Sequence, residues 1–227
     1  MTPAPRHLNY RFEGYDEAVL SFGDATANRI ILIVPPLFDE MNRVRAMLVG
    51  TMRELAGLGV MTLLPDLPGC NESLAPISAQ TISGWRRAMA AAAQSSGATH
   101  VASIRGGTLI DTEIALPHWR LASVQGGSLL KTMLRTRIAS DREAGHRSSI
   151  ESLTDDAQTA PIDLSGYLLG AEMLAELQSA VPGLSGQAHE AVLGDGISVK
   201  PLWLRAEPME DVATSRALAT ELDRWSA

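Results

Sequence analysis

The sequence predicts an α/β fold, a doubly wound and mostly parallel sheet, on three observations. Arg29-Ile30-Ile31-Leu32-Ile33-Val34 is a continuous run rich in β-branched residues, of the kind buried on both faces of a sheet. Glu40 to Leu58 then carries Met41, Val44, Leu48, Met52 and Leu55 at three-and-four spacing, which makes one apolar stripe on a helix. Thr99 to Gly107 reads as a short strand, a sharp glycine-rich turn and a following helix. Such alternation feeds a parallel sheet through right-handed crossovers.

The remaining elements follow in order. His7 to Phe12 and Ala18 to Phe22 have the size of a hairpin around Gly14-Tyr15-Asp16. Pro35-Pro36 ends the first parallel strand, because proline has no N–H for the ladder. Gly57 and Gly59 close the Glu40–Leu58 helix, and Val60 to Leu67 is the next buried strand. Ser78 to Gln94 is expected to be helical, with Ile82, Trp85 and Met89 on one face and a stop at Gly97. The strand and turn around Arg105 come next, then a short strand from Trp119 to Val124. A helix from Ser128 to about Ala144, a polar stretch from His146 to Ala160 and helical spacing from Tyr167 to Leu177 follow. Gly194 to Gly196 gives a turn, Val199 to Leu204 the last strand, and Val212 to Trp225 a closing helix.

Composition bounds the functions open to this chain. With 227 residues, 45% hydrophobic and 20% charged, it can bury one large core as one domain. A formal charge of −7 argues against nonspecific nucleic-acid binding, which needs basic surface to displace counterions. The opening MTPAPRHLNYRFEG has no apolar core segment and no run approaches 18 apolar residues, so the reading is a cytoplasmic protein without a membrane span. Cys70 is the single cysteine, which excludes an intrachain disulfide and a cysteine-cluster metal site. No histidine pair has i, i+4 spacing and no His/Glu metal motif occurs, so neither metal nor cofactor is expected.

Sites in such sheets lie at the carboxyl ends of strands, where three loops should converge: Pro35 to Asn42, Asp66 to Ser73, and Arg105 to Gly107. The third has the setting of a nucleophile elbow, normally G-x-S-x-G, but here the pattern is S-x-R-x-G. A guanidinium stays protonated and cannot attack an acyl carbon, so Arg105 acts as a fixed cation or a structural pin.

The blocks Pro35-Pro36-Leu37-Phe38-Asp39-Glu40-Met41-Asn42, Asp66-Leu67-Pro68-Gly69-Cys70-Asn71-Glu72-Ser73 and Ser103-Ile104-Arg105-Gly106-Gly107 resemble those of the exosortase A system-associated hydrolases of the second type, a branch of the α/β-hydrolase superfamily. Met133-Leu134-Arg135-Thr136-Arg137 and Ser165-Gly166-Tyr167-Leu168-Leu169 add two weaker blocks. The resemblance implies an α/β-hydrolase-like sheet in a single domain over 1–227, with a helical, cap-like insertion at about 126–190 and an end about one strand and one helix early. It also implies a setting of exopolysaccharide production and sorting of C-terminally tagged proteins, and arginine at the elbow. "Hydrolase" would then describe fold ancestry rather than activity.

Chain order tests the rest of a triad. The acid and then the histidine should follow the nucleophile, yet His7, His100, His118, His146 and His189 all precede Leu204. Glu207 and Asp211 stand where the acid could sit, without an imidazole to orient. Substitute nucleophiles would be Ser73, Ser103 or Cys70, and each lacks a base nearby in sequence. The bland readings place Ser103 into the sheet, Ser73 as a cap or loop closure and Cys70 as a small filler.

Arg105 has two readings. It pairs with Asp39 or Glu40 as a structural ion pair, or with the Gly106 and Gly107 amides it receives a carboxylate or phosphate, with Leu37, Phe38, Glu40 and Asn42 completing the site. A further basic run, Lys131, Arg135, Arg137, Arg142 and Arg147, is a solvated helix face by default and an anion-attracting patch otherwise. The leading expectation is a degenerate α/β-hydrolase-fold protein that binds a small anionic or acyl ligand or a protein partner. The alternative is an active ester or thioester hydrolase with a relocated nucleophile. A third is a structural subunit, whose last strand, Pro201-Leu202-Trp203-Leu204, is either covered by the chain itself or paired with a second copy in a homodimer.

Overall fold

The structure is a computed structural model, and it describes residues 4–183, 188–192, 201–205 and 207–227. Nine strands and six α-helices alternate among these residues. Seven strands form the main sheet in the order β1-β2-β4-β3-β5-β6-β9. β1 (Arg6–Phe12) and β2 (Tyr15–Phe22) are antiparallel, and β2 joins β4 (Met61–Pro65) antiparallel. From β4 onward, β3 (Ile30–Val34), β5 (His100–Ile104), β6 (His118–Leu121) and β9 (Ala188–Ala191) are parallel.

Both faces of this sheet are covered, which is why β3 reads as unbroken apolar sequence. Ile31 and Ile33 pack on one side with α1 (Asp39–Gly57) and α6 (Val212–Trp225). Leu32 and Val34 pack on the other with α2 (Ile82–Ser96), α3 (Gly126–Glu143), α4 (Ile150–Thr159) and α5 (Ala171–Ser179). Thr81 caps α2 by accepting from the Gly84 amide, and Gly97 ends it in the left-handed conformation that favours glycine.

Several expectations are corrected. The first hairpin turns at Glu13-Gly14, both at positive φ, so Tyr15 and Asp16 belong to β2. Ile77–Ala79 is a separate 3-10 turn, and α2 starts only at Ile82. In place of a full helix after the elbow stands a five-residue 3-10 turn, Arg105–Leu109. Its Gly-Gly-Thr sequence is poor helix material, and β6 must begin again at His118. Tyr167–Leu169 is not helical: it is β8, paired antiparallel with β7 (Ile162–Leu164) around a Ser165-Gly166 turn with both residues at positive φ. The polar stretch contains α4, started by a reciprocal capping box between Ser149 and Ser152.

The largest correction concerns the last strand. Residues 199–200, and the turn expected at Gly194 to Gly196, lie outside the described residues. Leu202–Leu204 is a 3-10 turn, while the sheet extends through β9, which pairs with β6. Leu202 and Trp203 are buried in the core against α1, and Leu204 is 71% exposed. Within the apolar Pro201–Leu204 segment, Leu202 and Trp203 therefore pack inward, and the segment is a turn rather than a bare sheet edge. We expect Leu202→Ala to cost about 2–5 kcal/mol and Leu204→Ser almost nothing, measured by denaturant unfolding. Equal, small effects would contradict this placement.

Candidate functional site

The site is built where β3, β5 and β6 end. Each is followed by a non-glycine residue at positive φ: Phe38 in the β3–α1 loop (55°), Arg105 after β5 (55°) and Ala122 after β6 (53°). Backbone strain of this kind costs about 1–3 kcal/mol per residue, so packing must hold each in place. Phe38 is wedged between Trp85 and Tyr167, with ring centroids at 5.5 and 5.3 Å. Gly106 and Gly107 let the elbow approach the β3 loop. A Cβ on Gly107 would stand 2.8 Å from the Val34 carbonyl oxygen, and one on Gly106 would press on Leu37.

Glu40, in the first turn of α1 and only 5% exposed, answers Arg105. Arg105 Nε and Nη2 donate to Glu40 Oε1 at 3.0 and 2.8 Å, and the Gly106 amide donates to Oε2 at 3.2 Å. Arg105 Nη1 reaches the Ala122 carbonyl at 3.4 Å, and the guanidinium lies 5.7 Å from the Trp203 ring centroid. Asp39 instead pairs with Arg43, whose Nη1 donates to the Trp203 carbonyl at 3.0 Å. In a working elbow the amide after the nucleophile stabilises an oxyanion. Here that amide is committed to a carboxylate of the same chain.

Beneath the elbow lies a second buried charge network. Asp111, fully buried, accepts from Ser103 Oγ at 2.8 Å and from Arg120 Nε and Nη2 at 2.9 and 2.7 Å. Arg120 also donates to the Gly183 carbonyl, and Glu190 approaches it at 3.8 Å. His118 Nδ1 lies 3.4 Å from Asp111, and its Nε2 meets the Ile114 carbonyl oxygen at 2.8 Å. Ser103 is thus a hydroxyl sealed under the sheet end, without access for a substrate. Sequence reasoning missed Asp111 and Arg120. The available signal was Arg120 between Trp119 and Leu121 in a strand, a position that demands a buried acid.

Beside the elbow, a cavity of about 20 Å³ is lined by Phe38, Met41, Asn42, Asp66, Cys70 and Tyr167 among others. That is room for one water molecule. Tyr167 hydrogen-bonds Asn42, and burial, with Cys70 beside it, pushes its hydroxyl up to about 12. Burial, then Asp66 and Glu17, push the Cys70 thiol up to about 12. Burial also raises the Asp66 carboxyl, against hydrogen bonding from Asn71, attraction to Arg45 and a hydrogen bond from the Glu72 backbone, which outweighs the small rise from the Glu72 charge. Ser73 accepts from the Gly69 and Ala75 amides and donates to Glu17 Oε1 at 2.9 Å, so it closes its own loop. Glu17 is fully buried, its Oε2 has no hydrogen-bond partner among the described residues, and burial raises its carboxyl.

Of the expected ligand-binding residues, Phe38 and Asn42 line the cavity, Leu37, Gly106 and Gly107 are buried in the elbow packing, and Glu40 and Arg105 hold each other. Asp211 caps α6 by accepting from the Thr214 amide, and Glu207 is exposed. Among the described residues, the one histidine that hydrogen-bonds a hydroxyl is His100 with Thr99, at the far end of β5 from the elbow. No cluster of three metal-ligating side chains occurs among them, and none of their helices is long and apolar enough to cross a membrane.

A mostly parallel, two-face-covered sheet with a strained elbow at the end of β5 is an α/β-hydrolase-type fold. Similar solved structures are described as hydrolases. An epoxide hydrolase from Vigna radiata is 17% identical with a TM-score of 0.44, over 52% of this chain and 40% of that one. A protein assigned as a hydrolase from Agrobacterium vitis S4 is 15% identical with a TM-score of 0.46, over 62% and 61%. Epoxide hydrolase A from Mycobacterium thermoresistibile is 14% identical with a TM-score of 0.43, over 58% and 45%. The chain thus spans less than two thirds of the length of each of these three. No family model and no curated protein matches it.

Two measurements check this account. A raised carboxyl binds its proton more tightly in the folded state, so its burden on stability appears as pH rises above the ordinary carboxylate value and grows up to the raised one. Glu17→Gln, which keeps an acceptor for Ser73, should melt higher than the parent at pH 8 and equally near pH 4. A parent that melts higher than the variant at pH 8 would contradict it. With Cys70 near 12, thiolate at pH 8 falls ~10³-fold below that of an ordinary thiol. Alkylation of native Cys70 by iodoacetamide should therefore be slower than in the unfolded chain by about that factor.

Proposed function

We propose that this chain is an α/β-hydrolase-fold protein with a degenerate triad, acting as a binding protein in a process tied to exopolysaccharide production and exosortase-dependent sorting. The single observation that carries the loss of hydrolysis is the Glu40 carboxylate. It occupies both the Arg105 guanidinium and the Gly106 amide, the groups that would otherwise face a reacting acyl oxygen. The residues that could replace the nucleophile support the same reading. Ser103 is sealed on Asp111, Ser73 is engaged by two amides and Glu17, and Cys70 is held as a thiol. The exosortase setting rests on the Pro-Pro…Glu-Met-Asn block of residues 35–42.

Of the two ligand classes suggested by the residues, anionic and acyl, the lining favours acyl, although a ligand would have to part the walls of a cavity that when closed admits one water. Asp66 lines it, Glu17 lies behind its loop and the Arg105 charge is already matched, so a buried anion would find no free cation to offset its desolvation. Phe38, Met41 and Tyr167 supply apolar wall, and Asn42 supplies hydrogen bonding for a carbonyl.

Hydrolysis of short p-nitrophenyl esters should stay at the uncatalysed background for the parent and for Arg105→Ser, since among the described residues no histidine hydrogen-bonds a hydroxyl at the elbow. Arg105→Ser should also lose about 3 kcal/mol of stability by stranding Glu40, and Glu40→Gln added to it should restore part. Turnover in the parent that Ser73→Ala, Ser103→Ala or Cys70→Ala abolishes would overturn the proposal in favour of a relocated nucleophile.

A further inference from the structure

We infer that the outer face of α3 is a docking surface for an anionic lipid membrane. Lys131, Arg135 and Arg142 fall within about 40° of one another around the helix and span about 16 Å along it. All three are exposed, while Met133, about 180° from their mean direction, is buried in the core. Arg147, just past the helix, is also exposed. Arg137 is different: it pairs with Asp141 at 2.8 Å and donates to the Asp163 carbonyl. Lys131, Arg135, Arg142 and Arg147 have no ion-pair partner among the described residues, whereas exposed Arg11, Arg87 and Arg216 each meet a carboxylate.

The asymmetry extends to the whole chain. Residues 126–150 carry five basic and two acidic side chains, so the rest of the chain, at −7 overall, carries −10. Unpaired cations gathered on one helix of an otherwise acidic chain draw that helix toward an anionic surface. The shape of the face favours a planar partner over a peptide. The open depression on it is lined by Arg135, Ile138, Ala139, Arg142 and Glu143, all from α3, so a bound strand or helix would find one wall only. A sheet of headgroups needs no second wall, and three unpaired basic residues on the helix with a fourth just past it are enough to hold one through charge.

The test is cosedimentation of the full chain with vesicles of phosphatidylcholine, with and without phosphatidylglycerol. Binding is expected only to the anionic vesicles, and it should fade as salt rises from ~0.1 to ~0.5 M. Each neutralised cation should weaken it about fivefold, so Lys131→Gln/Arg135→Gln/Arg142→Gln should lose about a hundredfold. Arg11→Gln/Arg87→Gln/Arg216→Gln, with the same change in net charge, should bind like the parent. Equal behaviour of the two triple variants, or no preference of the parent for anionic vesicles, would overturn the inference whatever the variants' stability. Retention of soluble polyglutamate at a salt concentration where vesicles are released would also overturn it, and would point to an acidic polypeptide instead.

Discussion

The Arg105–Glu40 ion pair is the contact on which the carboxyl end of the sheet depends. One guanidinium joins four pieces of chain: the elbow that carries it, the first turn of α1 through Glu40, the end of β6 through the Ala122 carbonyl, and the Trp203 ring. Arg43 repeats the motif one turn further on, tying Asp39 to the Trp203 carbonyl. An arginine serves here because its planar fork can give Nε and Nη2 to the same carboxylate and still reach a carbonyl and lie near a ring. A lysine would provide charge without that geometry. The partner is chosen as tightly, for Glu40 holds the Gly106 amide with its second oxygen.

The elbow carries a cation at the position where such a turn usually carries a nucleophile. Positive φ at a non-glycine residue after a strand is useful to an enzyme because it lifts a nucleophile clear of the sheet. In this chain the same strained turn lifts a cation toward a carboxylate on the next helix. The two strained neighbours, Phe38 and Ala122, are spent on the same contact region: Phe38 seats the aromatic packing with Trp85 and Tyr167, and Ala122 presents the carbonyl that Arg105 reaches. The conformation costs energy at three places, and the ion pair, the ring contacts and the close glycine approach jointly offset it. Below them, Asp111 and Arg120 form a second pair that fixes β5 to β6 through Ser103.

The core of the fold was legible because its signals are strong and local. β3 and β5 are short apolar runs between breakers, and Val212–Trp225 carries its own cap at Asp211. Elements whose identity depends on partners distant in sequence were not. β9, Ala188-His189-Glu190-Ala191, has no β-branched residue and is a strand only because β6 offers it a ladder. Pro201–Leu204 looks like a strand by composition and is a 3-10 turn whose Leu202 and Trp203 pack against α1. Tyr167–Leu169 continues an apolar spacing into α5, yet Ser165-Gly166 turns it back on β7. At the site, the convergence of the elbow with the Asp39-Glu40 turn followed from strand order, whereas choosing Glu40 over Asp39 required the helix phase of α1. Asp111 was hidden because it sits in a loop without periodicity.

Charge is distributed so that the two ends of the ligand question separate. Around the cavity the groups are acids held toward their neutral forms by burial, a thiol kept protonated and a phenol, with the nearby guanidinium already matched. Such an environment penalises an incoming anion and tolerates a neutral group that hydrogen-bonds. The cations that remain unmatched lie on the outside of α3, whose inner face, Leu129, Leu130, Met133 and Leu134, packs in the same core as Leu109 and Ile110 beside the elbow. An anionic surface would therefore be met by the outer face of α3 and an uncharged ligand by the cavity between the β3–α1 loop, the Asp66–Asn71 loop and Tyr167, and any coupling between them would have to pass through the packing of α3 against the 3-10 turn that carries Arg105.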